Sequence, residues 1–116
     1  MAEDCLFCNI AAGEIPAKKV LENDEVIAFE DISPMMPVHV LVIPKDHYDD
    51  ISDGIPAETL NAMIDAVGEV AKIKGVEETG YRVITNKGDD ACQSVHHVHL
   101  HVLGGAKMND GDPSLS

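Results

Sequence analysis

Near its C-terminal end the chain runs His97-Val98-His99-Leu100-His101-Val102-Leu103, with imidazole and aliphatic side chains in strict alternation. Successive side chains of a β-strand point to opposite faces. The run therefore predicts a strand with three imidazoles on one side and Val98, Leu100 and Val102 in a core on the other. Near neutral pH an imidazole can serve as nucleophile, general base, phosphate donor or metal ligand. For phosphoryl or nucleotidyl transfer, His99 is the natural nucleophile because it has a like-facing neighbour on each side. Those neighbours can donate to non-bridging oxygens as charge develops. Ser94, just before the strand, can donate to a phosphate oxygen or a leaving group. From spacing alone the same trio reads equally well as a metal patch. His96 breaks the alternation, is expected to face away, and reads as structural.

A second constellation is Cys5-Leu6-Phe7-Cys8. Two thiolates at this spacing suit zinc, with two further ligands to be supplied by histidines. A thioredoxin-like reading is weaker, since no strand precedes the pair. Cys92 has no partner at a useful spacing.

Composition narrows the function classes. The 116 residues suit one domain, 1–116, with 45% hydrophobic residues, enough for a core. Aromatic residues are 3% and Trp is absent, so that core is aliphatic. Twenty-one acidic against eight basic residues give a formal net charge of −13, which argues against nucleic acid and an anionic membrane as partners. No signal peptide or bilayer-length apolar run is apparent, and an odd cysteine count does not make a disulfide framework. A reduced, cytoplasmic protein is expected.

The apolar pattern predicts a short helix over 5–12, with Leu6, Phe7 and Ile10 as its apolar side, and strands over 18–22, 25–30, 39–44 and 80–86, followed by the histidine strand. A long helix begins at Pro56 and stops at Gly75. Its apolar stripe is Leu60, Met63, Ile64, Val67, Val70 and Ala71. The segment 87–94 is a loop, and a polar tail occupies 106–116. Strands with one long intervening helix predict an α+β domain whose helix covers one sheet face.

The histidine run matches the His-φ-His-φ-His-φ-φ signature of the histidine triad (HIT) proteins, φ being hydrophobic. The resemblance extends to Cys5-Leu6-Phe7-Cys8-Asn9-Ile10, Gly13-Glu14-Ile15-Pro16, Ala28-Phe29-Glu30-Asp31-Ile32-Ser33-Pro34, His39-Val40-Leu41-Val42-Ile43-Pro44-Lys45 and Gln93-Ser94-Val95. These look like segments of the Hint branch, in order, over about 5–105. The resemblance implies a HIT-like α+β fold, with a five-stranded antiparallel sheet per subunit, one long and one short helix, and a homodimer with a ten-stranded sheet. It implies binding of purine nucleoside monophosphates and hydrolysis of nucleoside 5′-phosphoramidates or aminoacyl adenylates through a nucleotidyl-histidine intermediate. His99 is then the nucleophile. His101 and Ser94 contact the α-phosphate, and His97 and His39 belong to the polar relay behind the nucleophile. Asp31 holds the ribose hydroxyls. Leu6, Phe7, Ile10, Phe29, Ile32 and Leu41 wall the base and sugar pocket, with Asn86 and Gln93 as polar groups of the site. Relatives with the cysteine pair imply a structural Zn²⁺ on Cys5, Cys8, His47 and His97; catalysis itself needs no cofactor. The alternatives are a dinucleoside polyphosphate hydrolase or nucleotidyl transferase, and a nucleotide-binding regulatory scaffold with incidental hydrolysis.

Three departures matter. Ala91-Cys92 stands where Gly-Gly is frequent, His96 replaces a frequent aromatic, and the tail has no Trp. The acidic balance also predicts monophosphates with neutral or cationic leaving groups over di- and triphosphates.

Overall fold

The computed structural model describes residues 5–109. Helix α1 (Leu6–Ala11) leads into strands β1 (Lys19–Glu22), β2 (Val26–Glu30) and β3 (Val38–Pro44). Helix α2 (Ala57–Ile73), β4 (Tyr81–Ile84) and β5 (Leu100–Gly104) follow. All strand pairs are antiparallel, in the order β1-β2-β3-β5-β4. The HIT-type five-stranded sheet expected from the sequence is therefore present.

Period-two patterning sorts the strands onto two faces. Val26 and Ala28 of β2, Val38, Val40 and Val42 of β3, and Leu100 and Val102 of β5 pack with Met63, Ala66, Val67 and Val70 of α2. The intervening residues Ile27, Phe29, Leu41 and Ile43 pack against Phe7, Ile10, Cys5 and Cys8 at the N-terminal end. In α2, Pro56 is the N-cap, and Gly75 follows at φ +75°, a left-handed position that glycine adopts without a Cβ clash. The stripe differs from the sequence reading in one respect. Ala66 is buried, whereas Leu60 and Ile64 are 38% and 54% exposed. The five buried positions of α2 lie along one side of the helix, and its small Ala66 and Ala71 let the axis approach the sheet.

The histidine strand is shorter than expected. Its ladder begins at Leu100, so His97 and His99 precede it. The β3–β5 register pairs Val42 with Leu100, which would bring Val98 opposite Pro44. Proline has no N–H to give, so the ladder stops there. Other groups complete the segment: the Val98 N–H donates to the Tyr48 carbonyl (2.6 Å) and the Thr85 hydroxyl to the His99 carbonyl (2.9 Å). The alternation nevertheless persists, with Val98 buried in the helix-side core. No helix among the described residues is long and apolar enough to cross a membrane.

Candidate active site

The three histidines lie on the face away from α2. The His99 and His101 rings are 5.1 Å apart, and Phe7 stands edge-on to His99 at 5.1 Å and to His97 at 6.1 Å. His39 joins them from β3. Its register partner is Leu103 and that of Leu41 is His101, so His39 and His101 are diagonal neighbours on one face, and their rings meet at 5.1 Å.

Hydrogen bonds fix which nitrogen of each ring carries the proton. A carbonyl can only accept, so His99 Nδ1, 2.7 Å from the His97 carbonyl, is the protonated nitrogen. His99 Nε2 is left bare. The Met35 N–H donates to His39 Nδ1 at 3.0 Å, so Nδ1 is bare there and Nε2 carries the proton. His39 Nε2 donates to His101 Nδ1 at 2.9 Å and lies 3.5 Å from Asp31 Oδ2. The His101 proton must then sit on Nε2, a buried atom with no partner among the described residues. Burial pushes His99 and His39 below the usual imidazole range, the nearby Asp31 carboxylate opposing it at both. His101 falls to about 4, through burial and then the neighbouring His99 and His39. Neutral rings are what this wiring requires.

Asp31, His39 and His101 also lie close enough to be read as a cation site. A cation on His39 Nε2 would force the proton onto Nδ1, against the Met35 N–H. The cluster fits a proton chain rather than a metal.

Beside these rings opens a cleft of about 530 Å³. Ser94, His39, His99, His101 and Asp31 form its polar part, and Leu6, Phe7, Ile10, Phe29, Ile32 and Leu41 wall it. This volume lies within the range of small-molecule sites. Ile32 is 98% exposed and forms the rim. Ile15, Pro16, Glu30, Ser33, Met35 and Val95 also line the cleft and were not singled out from the sequence. Ile15, Pro16, Glu30, Ser33 and Val95 belong to the segments that carry the resemblance, which is the available signal; nothing local marks Met35.

Three residues lie elsewhere than expected. Gln93 does not face the cleft: its amide donates to the Asp49 and Val95 carbonyls (2.7 and 3.1 Å) and accepts from the Gly88 N–H (2.9 Å), bracing the loop that carries Ser94. Asn86 does not line the cleft either, and its buried Nδ2 has no partner among the described residues. His96, expected to be structural, is exposed and lines a second cleft with Cys5, His47, Asp49 and Ser94.

His97 points instead toward sulfur. Its Nε2 donates to the Pro44 carbonyl at 2.8 Å, leaving Nδ1 bare, 3.3 Å from Cys5 Sγ and 3.4 Å from Cys8 Sγ. His47 repeats the pattern: Nε2 on Asp49 Oδ1 at 2.8 Å, bare Nδ1 3.3 Å from Cys8 Sγ. All four ligand atoms fall within 4.8 Å of one another. Tetrahedral zinc, with bonds of about 2.3 Å to sulfur and about 2.0–2.1 Å to nitrogen, has S···N edges of about 3.6 Å. Two sulfurs, two inward lone pairs and outer acceptors on both rings fit such an ion. Without it, burial and the adjacent Cys5 push the Cys8 thiol up to about 11; a bound cation reverses that.

Comparison with known proteins agrees with this geometry. The HIT domain model matches residues 12–108. The chain belongs to the HIT domain family. A solved HIT family hydrolase from Legionella pneumophila superposes with a TM-score of 0.89 at 42% identity, over 93% of this chain and 98% of the other. A histidine triad nucleotide-binding protein from Candida albicans does so with a TM-score of 0.81 at 33% identity, over 94% and 86%. A 14 kDa zinc-binding protein of Brassica juncea is 42% identical over 115 residues, covering 91% of this chain and 96% of the relative.

Proposed function

We propose that this HIT domain is a nucleoside phosphoramidase of the Hint type, which binds a purine nucleoside monophosphate group and cleaves its P–N bond. One observation carries the reading: His99, whose Nε2 is bare, and His101, whose protonated Nε2 has no partner among the described residues, line the same cleft. The first is a nucleophile with its lone pair free. The second is a donor suited to a non-bridging oxygen, held ready by a relay that begins at a backbone amide. The walls formed by Phe7, Phe29 and Leu41 suit a planar base, and the Asp31 carboxylate suits two vicinal hydroxyls.

In the first step His99 Nε2 attacks phosphorus, a P–N bond to the protein forms and the P–N bond to the amine breaks. The His99 proton stays on Nδ1, held by the His97 carbonyl, which supports the positive charge that develops on the ring. The departing amine takes a proton that solvent water supplies through the Ser94 hydroxyl at the cleft, and the water that attacks in the next step returns one to solvent. Water then attacks the nucleotidyl-histidine, restores the bare Nε2 and frees the monophosphate. Cys5, Cys8, His47 and His97 would hold zinc, which supplies a rigid anchor for the His97 ring and takes no part in bond-making. The cytoplasm suits this reduced thiol pair.

The active unit is a homodimer of the single domain. β4 is a sheet edge with Tyr81 and Val83 exposed, open to strand pairing with a second copy. Light scattering at micromolar concentration is expected to give twice the chain mass.

The deciding experiment mixes the protein with adenosine 5′-phosphoramidate, quenches in base and maps peptides by mass spectrometry. An adenylyl group on His99 is the expected result. Turnover without that adduct, or an adduct elsewhere, overturns the reading. A substrate panel including a dinucleoside polyphosphate separates it from the polyphosphate hydrolase alternative.

A further inference from the structure

Both cysteines are buried, yet each borders an opening on the surface. Each sulfur-bearing residue lines its own opening: Cys5 a cleft of about 530 Å³ shared with His47, Asp49 and Ser94, and Cys8 one of about 380 Å³ shared with Lys45 and His47. The pair is also placed to close on itself. Cys5 is the N-cap of α1, and the Cys8 N–H donates to its Sγ at 3.3 Å, so both sulfurs sit over the same first turn. Both contact one atom, His97 Nδ1, at 3.3 and 3.4 Å. Neither sulfur has to leave its neighbourhood to meet the other.

We infer that Cys5 and Cys8 form a peroxide-sensitive modification site, in which oxidation to an intramolecular disulfide removes both sulfur ligands from the His47–His97 pair. The chemistry balances with hydrogen peroxide as the oxidant. One thiolate attacks a peroxide oxygen, the O–O bond breaks, and hydroxide leaves and takes a proton to become water. The second thiolate attacks the resulting sulfenic sulfur, the S–S bond forms, the S–O bond breaks, and a second hydroxide leaves as water. Two sulfurs are oxidised and one peroxide is reduced. Any Zn²⁺ held by the pair is left with two imidazoles and is released.

The structure links this event to the reacting groups. His97 gives its ring to the sulfurs and its carbonyl to His99 Nδ1–H. A change in how the His97 ring is held is felt one hydrogen bond from the nucleophile. Cys92 is exposed on another loop. Its oxidation is a separate event.

The disulfide itself is independent of the phosphoramidase reading; only its metal readout rests on the zinc assignment. The test treats the purified, metal-analysed protein with one equivalent of hydrogen peroxide. A chromophoric chelator follows zinc, and non-reducing peptide mapping follows the cysteines. The expected result is a peptide carrying Cys5 and Cys8 lighter by two hydrogen masses, with zinc release tracking its formation about one to one. A thiol reductant plus zinc reverses both. In Cys8→Ser protein the two-hydrogen loss vanishes and dimedone traps a sulfenic acid on Cys5. Sulfinic or sulfonic acid at either residue instead of the disulfide overturns the proposal, as does a zinc-loaded protein whose metal stays bound through an excess of peroxide. Disulfide formation in a protein purified without zinc keeps the modification site and removes the metal assignment.

Discussion

The two faces of one sheet do opposite jobs with nearly the same backbone. On the α2 side, valines from β2, β3 and β5 meet Met63, Val67 and Val70 in an aliphatic core. On the other side the same strands present His39, His101 and Leu41, and leave a cleft beside them. The first face is indifferent to hydrogen-bond direction. On the second, every buried imidazole has a fixed proton, and one N–H, on His101, has no partner among the described residues. The comparison teaches that stability and chemistry are separated here by a single residue step along each strand.

Mutations on the two faces should therefore break different measurements. His99→Ala should lower kcat/KM by at least about 10⁴-fold, because a lost nucleophile has no substitute, with little change in melting temperature. His101→Ala removes the free donor and should cost about 10²–10³-fold in kcat. His39→Ala, which only releases the donor from its orientation, should cost less than His101→Ala in the same assay. Met63→Ala, on the opposite face, should lower unfolding free energy by roughly 2–5 kcal/mol in urea titrations and leave KM near wild type. If Met63→Ala damaged kcat more than stability, the separation of the faces would be wrong.

Acid sharpens the contrast further. Burial depresses His39, His99 and His101 in the folded state, whereas the same rings in the unfolded chain bind protons from about 6.5 downward. Between that value and about 4, where His101 titrates, the unfolded chain binds more protons, so stability falls as pH falls. Thermal melts from pH 7 to pH 5 should show this slope, and His101→Ala should flatten it. Met63→Ala should shift the whole curve and keep its slope.

The smallest expected effect lies in the loop before Ser94. Cys92 sits at φ +60°, where a side chain is strained and glycine is not. Cys92→Gly should raise stability by about 1 kcal/mol in urea titrations.

Much of this was legible before any coordinates. Strict alternation in 97–103 forced the two-faced reading, and the long helix announced itself by its proline, its period and its glycine. The limits of β5 were not legible, because they depend on Pro44 arriving opposite Val98, a matter of register between distant segments. Leu60 and Ile64 were misassigned because helical period gives the stripe but not its rotation against the sheet. The cysteine and histidine ligand set came through the family resemblance; spacing alone could not choose His47 over the other histidines. Gln93 is expected at the site because it lies in the resembling segment Gln93-Ser94-Val95, yet its amide is spent on Gly88, Asp49 and Val95. The proton relay could not be read at all from sequence, since it starts at the main chain of Met35.

That starting point has a consequence. A peptide group never reverses polarity, so the direction of the Met35–His39–His101 relay is set by covalent geometry rather than by solvent acidity or chance. Anything that twists the rim at 33–36, a badly shaped base included, would unlatch the amide and leave His101 free to present the wrong nitrogen. On the proposed mechanism, fit at the mouth would then be checked at the phosphorus, across two rings.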